Sequence, residues 1–264
     1  MRIDLTGRTA LVTASTQGIG FAIAAGLAAA GARVGVSGRE KGKLDEAVRR
    51  LQGEVPDGDF VAVHADVVSE EESARAVEVL PEVDVLINNL GVYGFQDPLD
   101  ITDEDWRRYF EVNVLAAVRL TRAYLPRMIE QGWGRVQYIS SESSVAIPAE
   151  MIHYGMTKTA LLAVGRGFAK KAAGTGVTVN SVLAGPTHTA GVEDFVYGLV
   201  GRDKSWQEAE RIFMREHRSQ SLLQRLIAPE EIANMVVYLS SDQASATTGG
   251  AVRVDGGVVD AIIP

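Results

Sequence analysis

The sequence is informative first through what it lacks. Its 264 residues include no cysteine, which excludes disulfides, thiolate metal ligands and a cysteine nucleophile. Histidine occurs only four times and without clustering, so no metal site is predicted. No apolar run approaches the roughly 20 residues of a membrane-spanning helix, and no basic leader precedes an apolar segment. We therefore expect a cytoplasmic protein with no membrane partner.

Basic residues are also in short supply. The 26 lysines and arginines are outnumbered by 34 acidic residues, so the formal net charge is −8. A protein without a basic stripe binds a phosphate backbone poorly, and nucleic acid is therefore not an expected partner. Proline-rich linkers and low-complexity runs are absent as well. A single domain over residues 1–264 is the simplest interpretation.

Short β-branched runs alternate with helical patterns along the chain. Strands are predicted at residues 9–13, 33–37, 60–64, 83–87, 135–140, 177–183 and 251–254, and helices at 19–30, 41–52, 70–80, 103–131, 154–173 and 229–240. Strands that are apolar on both faces and alternate with helices predict an α/β fold, a doubly wound parallel sheet (Rossmann fold) with helices on both faces. The less regular residues 185–225 predict a helical excursion that forms a substrate lid.

The turn between the first strand and the first helix carries small and polar residues. A dinucleotide pyrophosphate needs a tight turn and free N–H groups at a helix N-terminus, and hydroxyls can add donors. The candidate cofactor residues in this turn are Ser15, Thr16, Gln17, Gly18, Ile19 and Gly20. A tight packing turn is the alternative interpretation of so short a motif.

The end of the second strand bears on the choice of cofactor. An acid at this point selects the 2′-hydroxyl of NAD, whereas an arginine accepts the 2′-phosphate of NADP. Here no acid stands at the strand tip, and Arg39 follows it directly. The sequence therefore predicts NADP(H) as the preferred cofactor, with NAD(H) possible. A solvated loop arginine, partly neutralised by Glu40, is the alternative.

The third and fourth strands also end in polar residues. Asp66 and Val67 follow the third strand, and Asn89 and Gly91 follow the fourth. The carboxylate can bind the adenine amino group, and the amide can tie two crossover loops together along the cofactor groove. Capping of the next helix, for which Ser69 is better placed, and ordinary loop capping are the alternatives.

A tyrosine and a lysine give the clearest chemical signal. Tyr154 and Lys158 are four residues apart and share one helix face. A free phenol has a pKa near ~10, and a nearby ammonium lowers it toward the range useful for acid/base catalysis. Ser141 ends the fifth strand at the same sheet edge, where its hydroxyl can orient a carbonyl. A serine hydrolase is excluded because no Gly-x-Ser-x-Gly elbow surrounds this serine.

Asn113 lies inside the long helix predicted over residues 103–131. A polar amide within an apolar turn needs a hydrogen-bond partner. It can hold a water that relays protons from Lys158 to solvent. A structural asparagine that distorts the helix is an equally good interpretation.

In this order and at these spacings, the residues resemble the short-chain dehydrogenase/reductase family over essentially the whole chain. Residues 180–181 (Asn-Ser), 185–186 (Gly-Pro) with Thr189, and 254–257 (Val-Asp-Gly-Gly) match it as well. Three positions depart from the family pattern, and one of them is Ala184, which replaces the proline that usually precedes Gly185 and is expected to make the lid more mobile. Ala14 replaces the first glycine of the turn, at little cost if its φ stays negative. Leu90 replaces a small residue, and we expect it to push its loop outward.

The resemblance implies a role for each matching residue. Tyr154 is the general acid/base, Lys158 lowers its pKa and binds the ribose, Ser141 positions the carbonyl, and Asn113 supports the proton relay. Gly185, the backbone of Thr187 and the hydroxyl of Thr189 hold the nicotinamide carboxamide. Family members are commonly homotetramers, so a homotetramer (or homodimer) is expected.

The leading hypothesis is hydride transfer between NADP(H) and a small-molecule carbonyl or secondary alcohol. One alternative is an NAD-preferring alcohol or polyol dehydrogenase. The other is a catalytically silent, dinucleotide-sensing regulatory protein, whose usual mark would be loss of Tyr154 or Lys158. Both residues are present. The sequence does not identify the substrate.

Overall fold

Seven strands form one sheet at the centre of the molecule, in a computed structural model that describes residues 3–262. They are β1 (Thr9–Val12), β2 (Arg33–Gly38), β3 (Asp59–His64), β4 (Val85–Asn88), β5 (Gly134–Ser141), β6 (Val177–Ala184) and β7 (Ala251–Val254). Every neighbouring pair is parallel, and the strand order is β3-β2-β1-β4-β5-β6-β7. The predicted doubly wound sheet is therefore confirmed.

Helices connect the strands and cover both faces of the sheet. They are α1 (Gly18–Ala29), α2 (Lys41–Glu54), α3 (Glu70–Val79), α4 (Asp103–Phe110), α5 (Ala116–Gln131), α6 (Ile152–Lys171), α7 (Ala190–Val200), α8 (Trp206–His217) and α9 (Pro229–Leu239). Among residues 3–262, none of these helices combines the length and the apolar character needed to cross a membrane.

The core lies in two layers, one on each face of the sheet. Along β1, Ala10 and Val12 face the layer formed with α1, α2 and α9, while Leu11 faces the layer formed with α3, α5 and α6. All three residues are fully buried. A strand buried on both faces must be apolar throughout, which explains why the strands were recognisable as continuous apolar runs.

The helix predicted over residues 103–131 is interrupted. A π-helical turn, Glu111–Leu115, separates α4 from α5. Such turns insert an extra residue into the hydrogen-bond ladder and are frequent at functional sites. Asn113 sits at the middle of this turn, so the interpretation of a helix-distorting asparagine agrees with the structure.

The expected helical excursion is formed by α7, α8 and the segment that leads to α9. It has a small apolar core of its own, made by Val196, Ala209, Phe213, Met214 and Leu226. The excursion follows β6, and its residues Val192, Phe195, Phe213 and Arg218 line the cleft described next. It is thus placed to cover a ligand at this edge of the sheet.

Candidate active site

A cleft of about 200 Å³ opens at the carboxyl ends of the central strands. In an open α/β sheet this is where ligands bind, because the strand order reverses there and the crossover loops diverge. The cleft brings together nine of the predicted site residues, which are Ile19, Asn89, Gly91, Ser141, Tyr154, Lys158, Gly185, Thr187 and Thr189.

The turn between β1 and α1 packs too closely for larger residues. A Cβ on Gly20 would lie 2.5 Å from the Ala14 carbonyl oxygen and 2.5 Å from Asn89 Nδ2. Gly18 has a φ of +56°, in the left-handed region that favours glycine. Gln17 occupies the N-cap of α1 without a side-chain capping bond. The first N–H groups of α1 therefore remain available to an anion.

The Ser15 hydroxyl in this turn is hydrogen-bonded to the backbone of the neighbouring strands. Ser15 is fully buried, its Oγ donates to the Val12 carbonyl oxygen at 2.7 Å, and it accepts from the Ser37 N–H at 2.9 Å. The prediction that Ser15 offers a hydroxyl to the cofactor is wrong, because that hydroxyl joins β1 to β2. Thr16 is half-buried and Gln17 is exposed, so both stay accessible at the turn.

Ala14 departs from the expected backbone conformation. Its φ is +50°, whereas a negative φ was expected. For a residue with a Cβ the left-handed region costs roughly 1–2 kcal/mol relative to glycine, because the Cβ crowds the following carbonyl. Alanine at this position, where the family pattern has glycine, therefore lowers the conformational stability of the turn.

The loop after β4 is tied to the end of β1. Thr13 Oγ1 accepts from the backbone N–H groups of Asn89 (2.8 Å) and Leu90 (2.9 Å). The Asn89 amide donates to the carbonyl oxygens of Thr13 (3.0 Å) and Ala14 (3.1 Å). The predicted link between the two crossover loops is thus present. The Leu90 side chain packs against the core, so the expected outward displacement of its loop does not occur.

Arg39 is exposed at the tip of β2. Its neighbour Glu40 pairs instead with Lys43, at 3.0 Å. Within residues 3–262 no ion pair involves Arg39, and the expected partial neutralisation by Glu40 is therefore not seen. The guanidinium remains available to a ligand phosphate.

The residues after β3 divide between loop and core. Asp66 is half-buried and its Oδ1 accepts from the Val68 N–H at 3.3 Å, while Ser69 caps α3 as expected. The Val67 side chain is buried in the core, and its carbonyl oxygen accepts from Ser73 Oγ at 2.9 Å. Val67 thus offers no side chain to a ligand, and its prediction as a cofactor contact is left to its backbone N–H.

Lys158 is held at the base of the cleft. Its Nζ donates to the Ile139 carbonyl oxygen at 2.9 Å and lies 5.6 Å from the centre of the Tyr154 ring. Ser140 Oγ donates to the Lys158 carbonyl oxygen at 2.9 Å, which fixes α6 against β5. Burial lowers the pKa of Lys158 to about 8, because the charged ammonium loses hydration.

The phenol of Tyr154 lies in the same cleft as the Ser141 hydroxyl. Burial is the main influence on the pKa of Tyr154 and raises it, the Glu142 carboxylate raises it further, and the nearby Ser141 side chain lowers it. The net direction is upward. The expectation that Lys158 brings about a net lowering is therefore wrong for the protein alone, in which Lys158 is bonded to Ile139.

Asn113 is buried and its amide is fully engaged. Its Oδ1 accepts from the Val92 N–H at 2.8 Å, and its Nδ2 donates to the Val92 carbonyl oxygen at 3.0 Å and to Thr157 Oγ1 at 2.9 Å. These bonds fasten the π-turn to the loop after Gly91 and to α6. The side chain contacts the helix that carries Tyr154 but makes no hydrogen bond to Lys158 among the described residues.

Two of the predicted nicotinamide contacts also have structural roles. Thr189 caps α7 by accepting from the Val192 N–H at 3.2 Å, and Thr187 Oγ1 donates to the Gly185 carbonyl oxygen at 2.8 Å. A Cβ on Gly185 would lie 2.6 Å from the Asp255 carbonyl oxygen, so this position admits only glycine. All three residues nonetheless line the cleft.

Sequence reasoning missed two charged residues of the cleft, Glu142 and Arg218. Glu142 directly follows Ser141, and its position at the strand end would have been a sufficient signal. Arg218 follows α8, and its return to the cleft depends on how the excursion folds. Local sequence carries no signal for that.

A glycine turn at the reversal of a parallel sheet, with a tyrosine, a serine and a lysine in the adjoining cleft, defines an oxidoreductase that depends on NAD(P). A family model described as enoyl-(acyl carrier protein) reductase matches residues 13–259. The chain belongs to the short-chain dehydrogenase/reductase family.

Curated relatives extend over nearly the full chain. The oxidoreductase YvaG of Bacillus subtilis is 45% identical over 263 residues, which cover 99% of this chain and 100% of the relative. Human dehydrogenase/reductase SDR family member 4 is 34% identical over 259 residues, or 97% of this chain and 89% of the relative.

Solved structures share the fold. L-sorbose reductase from Gluconobacter frateurii, complexed with NADPH and L-sorbose, superposes with a TM-score of 0.93 at 29% identity and covers 99% of this chain and 100% of its own. A putative NAD(P)-dependent gluconate 5-dehydrogenase from Beutenbergia cavernae, with bound NADP, reaches 0.85 at 32% identity over 99% and 100%.

Proposed function

We propose that the protein transfers a hydride between NADP(H) and a small carbonyl or secondary alcohol, with Tyr154 as the general acid/base. The observation that carries this proposal is that the hydroxyls of Tyr154 and Ser141 and the ammonium of Lys158 line one cleft. A carbonyl oxygen that approaches both hydroxyls can receive a proton from one while the other orients it.

The residues around the β1–α1 turn fit a dinucleotide. The uncapped N-terminus of α1 suits the pyrophosphate, and the close packing at Gly20 lets the backbone approach it. Asp66 is assigned to the adenine, and Lys158 to the ribose next to the nicotinamide. The carboxamide is assigned to Gly185, Thr187 and Thr189.

Arg39 supports NADP(H) over NAD(H). It is exposed, it follows β2 directly, and Glu40 is engaged by Lys43. A guanidinium can bind a 2′-phosphate through two parallel hydrogen bonds. The NADPH and NADP present in the two solved relatives described above agree with this assignment.

The protein's own part in the reaction is proton transfer and orientation. When bound, the dinucleotide supplies the hydride. In the direction of reduction, Tyr154 gives its phenolic proton to the substrate oxygen as that oxygen gains negative charge. A raised pKa keeps this proton in place until it is needed. Ser141 stabilises the developing alkoxide by turning its single proton from Glu142 Oε2 to the substrate oxygen. Asn113 positions α6 through Thr157.

Loss of Tyr154 tests the proposal directly. We expect Tyr154→Phe to lower the rate of NADPH-dependent ketone reduction by about a thousandfold, because the proton donor is lost. The dissociation constant of NADPH, measured by fluorescence titration, should stay close to that of the wild type. Tyr238→Phe is the control, since this tyrosine lies on α9, outside the cleft. Undiminished turnover in Tyr154→Phe, or a wild type that binds NADPH without turnover of any carbonyl, would contradict an enzyme of this kind and favour a dinucleotide sensor.

The proposal includes a cytoplasmic homotetramer, as the family resemblance implies. Analytical ultracentrifugation of the purified chain tests the assembly, and a monomer at micromolar concentration would contradict it.

A further inference from the structure

The substrate side of the cleft contains a carboxylate that the proposed chemistry does not use. Glu142 directly follows Ser141, and its side chain is only 8% exposed. Its Oε2 accepts a short hydrogen bond from Ser141 Oγ. Burying a carboxylate is costly unless it gains partners, so a residue of this kind beside the reacting groups calls for a role.

A guanidinium lies next to this carboxylate. Arg218 follows α8, its side chain is 15% exposed, and its Nε forms an ion pair with Glu142 Oε1 at 3.7 Å. That distance is too long for a hydrogen bond. Nη1 of Arg218 donates to the His217 carbonyl oxygen at 2.7 Å. No residue among 3–262 donates a hydrogen bond to Glu142 Oε1, so the two groups of the ion pair use only part of their hydrogen-bonding capacity.

Aromatic and aliphatic side chains form another part of the lining. Tyr93, Phe195 and Phe213 surround the cleft together with Met151. The Tyr93 and Tyr154 rings lie 6.2 Å apart edge to face, and Tyr93 contacts Phe195 in the same way at 6.3 Å. A ligand here meets aromatic faces on its C–H surfaces and a polar pair at one edge.

Charge and solvation narrow the class of ligand. An anionic substrate would be attracted by Arg218 and repelled by Glu142, which is the more buried of the two. A purely apolar substrate would cover the ion pair and leave Glu142 Oε1 without a hydrogen bond, at a free-energy cost. A hydroxyl group satisfies both sides, because it donates to a carboxylate oxygen and accepts from a guanidinium N–H.

The position of Glu142 sets where the hydroxyl must lie. Ser141 is proposed to hold the carbonyl oxygen, and Glu142 is its direct neighbour in sequence and hydrogen bonding. The cleft of about 200 Å³ is also lined by the residues assigned to the nicotinamide, so the substrate has only part of this space. A short substrate with a hydroxyl beside its carbonyl fits both constraints.

We propose that Glu142 and Arg218 recognise a hydroxyl on the carbon next to the reacting carbonyl, so that the substrate is a small, neutral, polyhydroxylated ketone or the polyol formed from it. This inference rests on the proposed function, since it takes Ser141 and Tyr154 as the groups that meet the carbonyl. Glu142 and Arg218 are thus specificity residues, which bind a substrate hydroxyl and do not contact the reacting atoms.

A series of ketones on one carbon skeleton tests the assignment. The probes are butanone, hydroxybutanone (3-hydroxybutan-2-one, whose hydroxyl lies beside the carbonyl) and erythrulose. Each is reduced with NADPH. For the wild type we expect kcat/KM to rise by about tenfold or more from butanone to hydroxybutanone, and to rise again for erythrulose. In Glu142→Gln and in Arg218→Met the ratio of hydroxybutanone to butanone should fall by at least about fivefold.

Matched controls come from the same helix end. Arg215 and Glu216 form an exposed ion pair on α8, outside the cleft. Arg215→Met and Glu216→Gln should keep the wild-type ratio. Circular dichroism of all four variants checks folding. If Glu142→Gln does not fold, the comparison of ketones is made with Arg218→Met. A wild type that reduces butanone as efficiently as hydroxybutanone would overturn this inference and leave the proposed function standing.

A binding measurement separates the inference from turnover. Erythrulose is titrated by calorimetry into wild type and Glu142→Gln, both saturated with NADP⁺. Binding that is weakened at least about fivefold in Glu142→Gln supports the hydroxyl site even if no ketone is reduced, in which case only the proposed function fails. Equal binding to both proteins, or none to the wild type, overturns the site.

Discussion

The ammonium of Lys158 donates a 2.9 Å hydrogen bond to the carbonyl oxygen of Ile139. This bond crosses from α6 to the strand that carries Ser141, so the lysine is fixed relative to the serine before any ligand arrives. The same burial that fixes it lowers the pKa of Lys158 to about 8. Its charge is therefore lost within an accessible pH range.

NADPH binding should weaken as the pH rises through about 8. Lys158 is proposed to bind the ribose, and a neutral amine attracts the anionic cofactor less than an ammonium does. Below this pH the ammonium is charged and affinity is highest; above it the charge is lost. Fluorescence titration at a series of pH values measures the dissociation constant. Lys158→Gln should bind more weakly at neutral pH and show no such dependence, and a wild type whose affinity is flat across about pH 7–10 would contradict the assignment.

Arg39→Ala should remove the preference for NADPH over NADH. We expect NADPH affinity to fall by roughly tenfold or more, because charge-assisted hydrogen bonds to the 2′-phosphate are lost, while NADH affinity stays the same. Parallel titrations with both cofactors measure the effect. Arg33→Met removes an exposed charge at the opposite end of β2 and should leave the preference intact. Equal loss of affinity for both cofactors would show that Arg39 does not contact the 2′-phosphate.

Ala14→Gly should stabilise the protein. The residue has a φ of +50°, and glycine adopts this conformation without the steric cost of a Cβ. The expected gain in the free energy of unfolding is about 1 kcal/mol, measured by urea denaturation. Ala25→Gly, in the interior of α1, should destabilise by about 1 kcal/mol and shows that the effect belongs to the backbone conformation. Destabilisation by Ala14→Gly would mean that the left-handed conformation carries no strain.

The fold and half of the site follow from the pattern of the sequence. Buried parallel strands must be apolar on both faces, and their carboxyl ends must lie along one edge. Polar residues at the ends of β4 and β5 and on α6 could therefore be placed together in advance, and Asn89, Ser141, Tyr154 and Lys158 do share the cleft.

The remainder depends on three-dimensional contacts that local sequence does not encode. The sequence predicted a free Ser15 hydroxyl, but in the fold this hydroxyl accepts a hydrogen bond from Ser37 on β2. The sequence around Val67 did not show that its side chain packs into the core. Arg218 enters the cleft only because α7 and α8 pack around Phe213, a tertiary arrangement with no periodic signal.

Glu142→Gln should move the pH dependence of alcohol oxidation to lower pH. Burial and the Glu142 carboxylate both raise the pKa of Tyr154, and the carboxylate does so because a second negative charge nearby disfavours phenolate. Oxidation needs the phenolate, so kcat rises with pH as Tyr154 deprotonates. Removing the carboxylate charge lowers that pKa, and the rise should begin at lower pH. The measurement is kcat for butan-2-ol, with NADP⁺ and the alcohol both saturating so that weaker substrate binding does not enter. Glu216→Gln should retain the wild-type profile. A profile that is unchanged, or displaced to higher pH, in Glu142→Gln would show that the carboxylate does not act on the Tyr154 phenol.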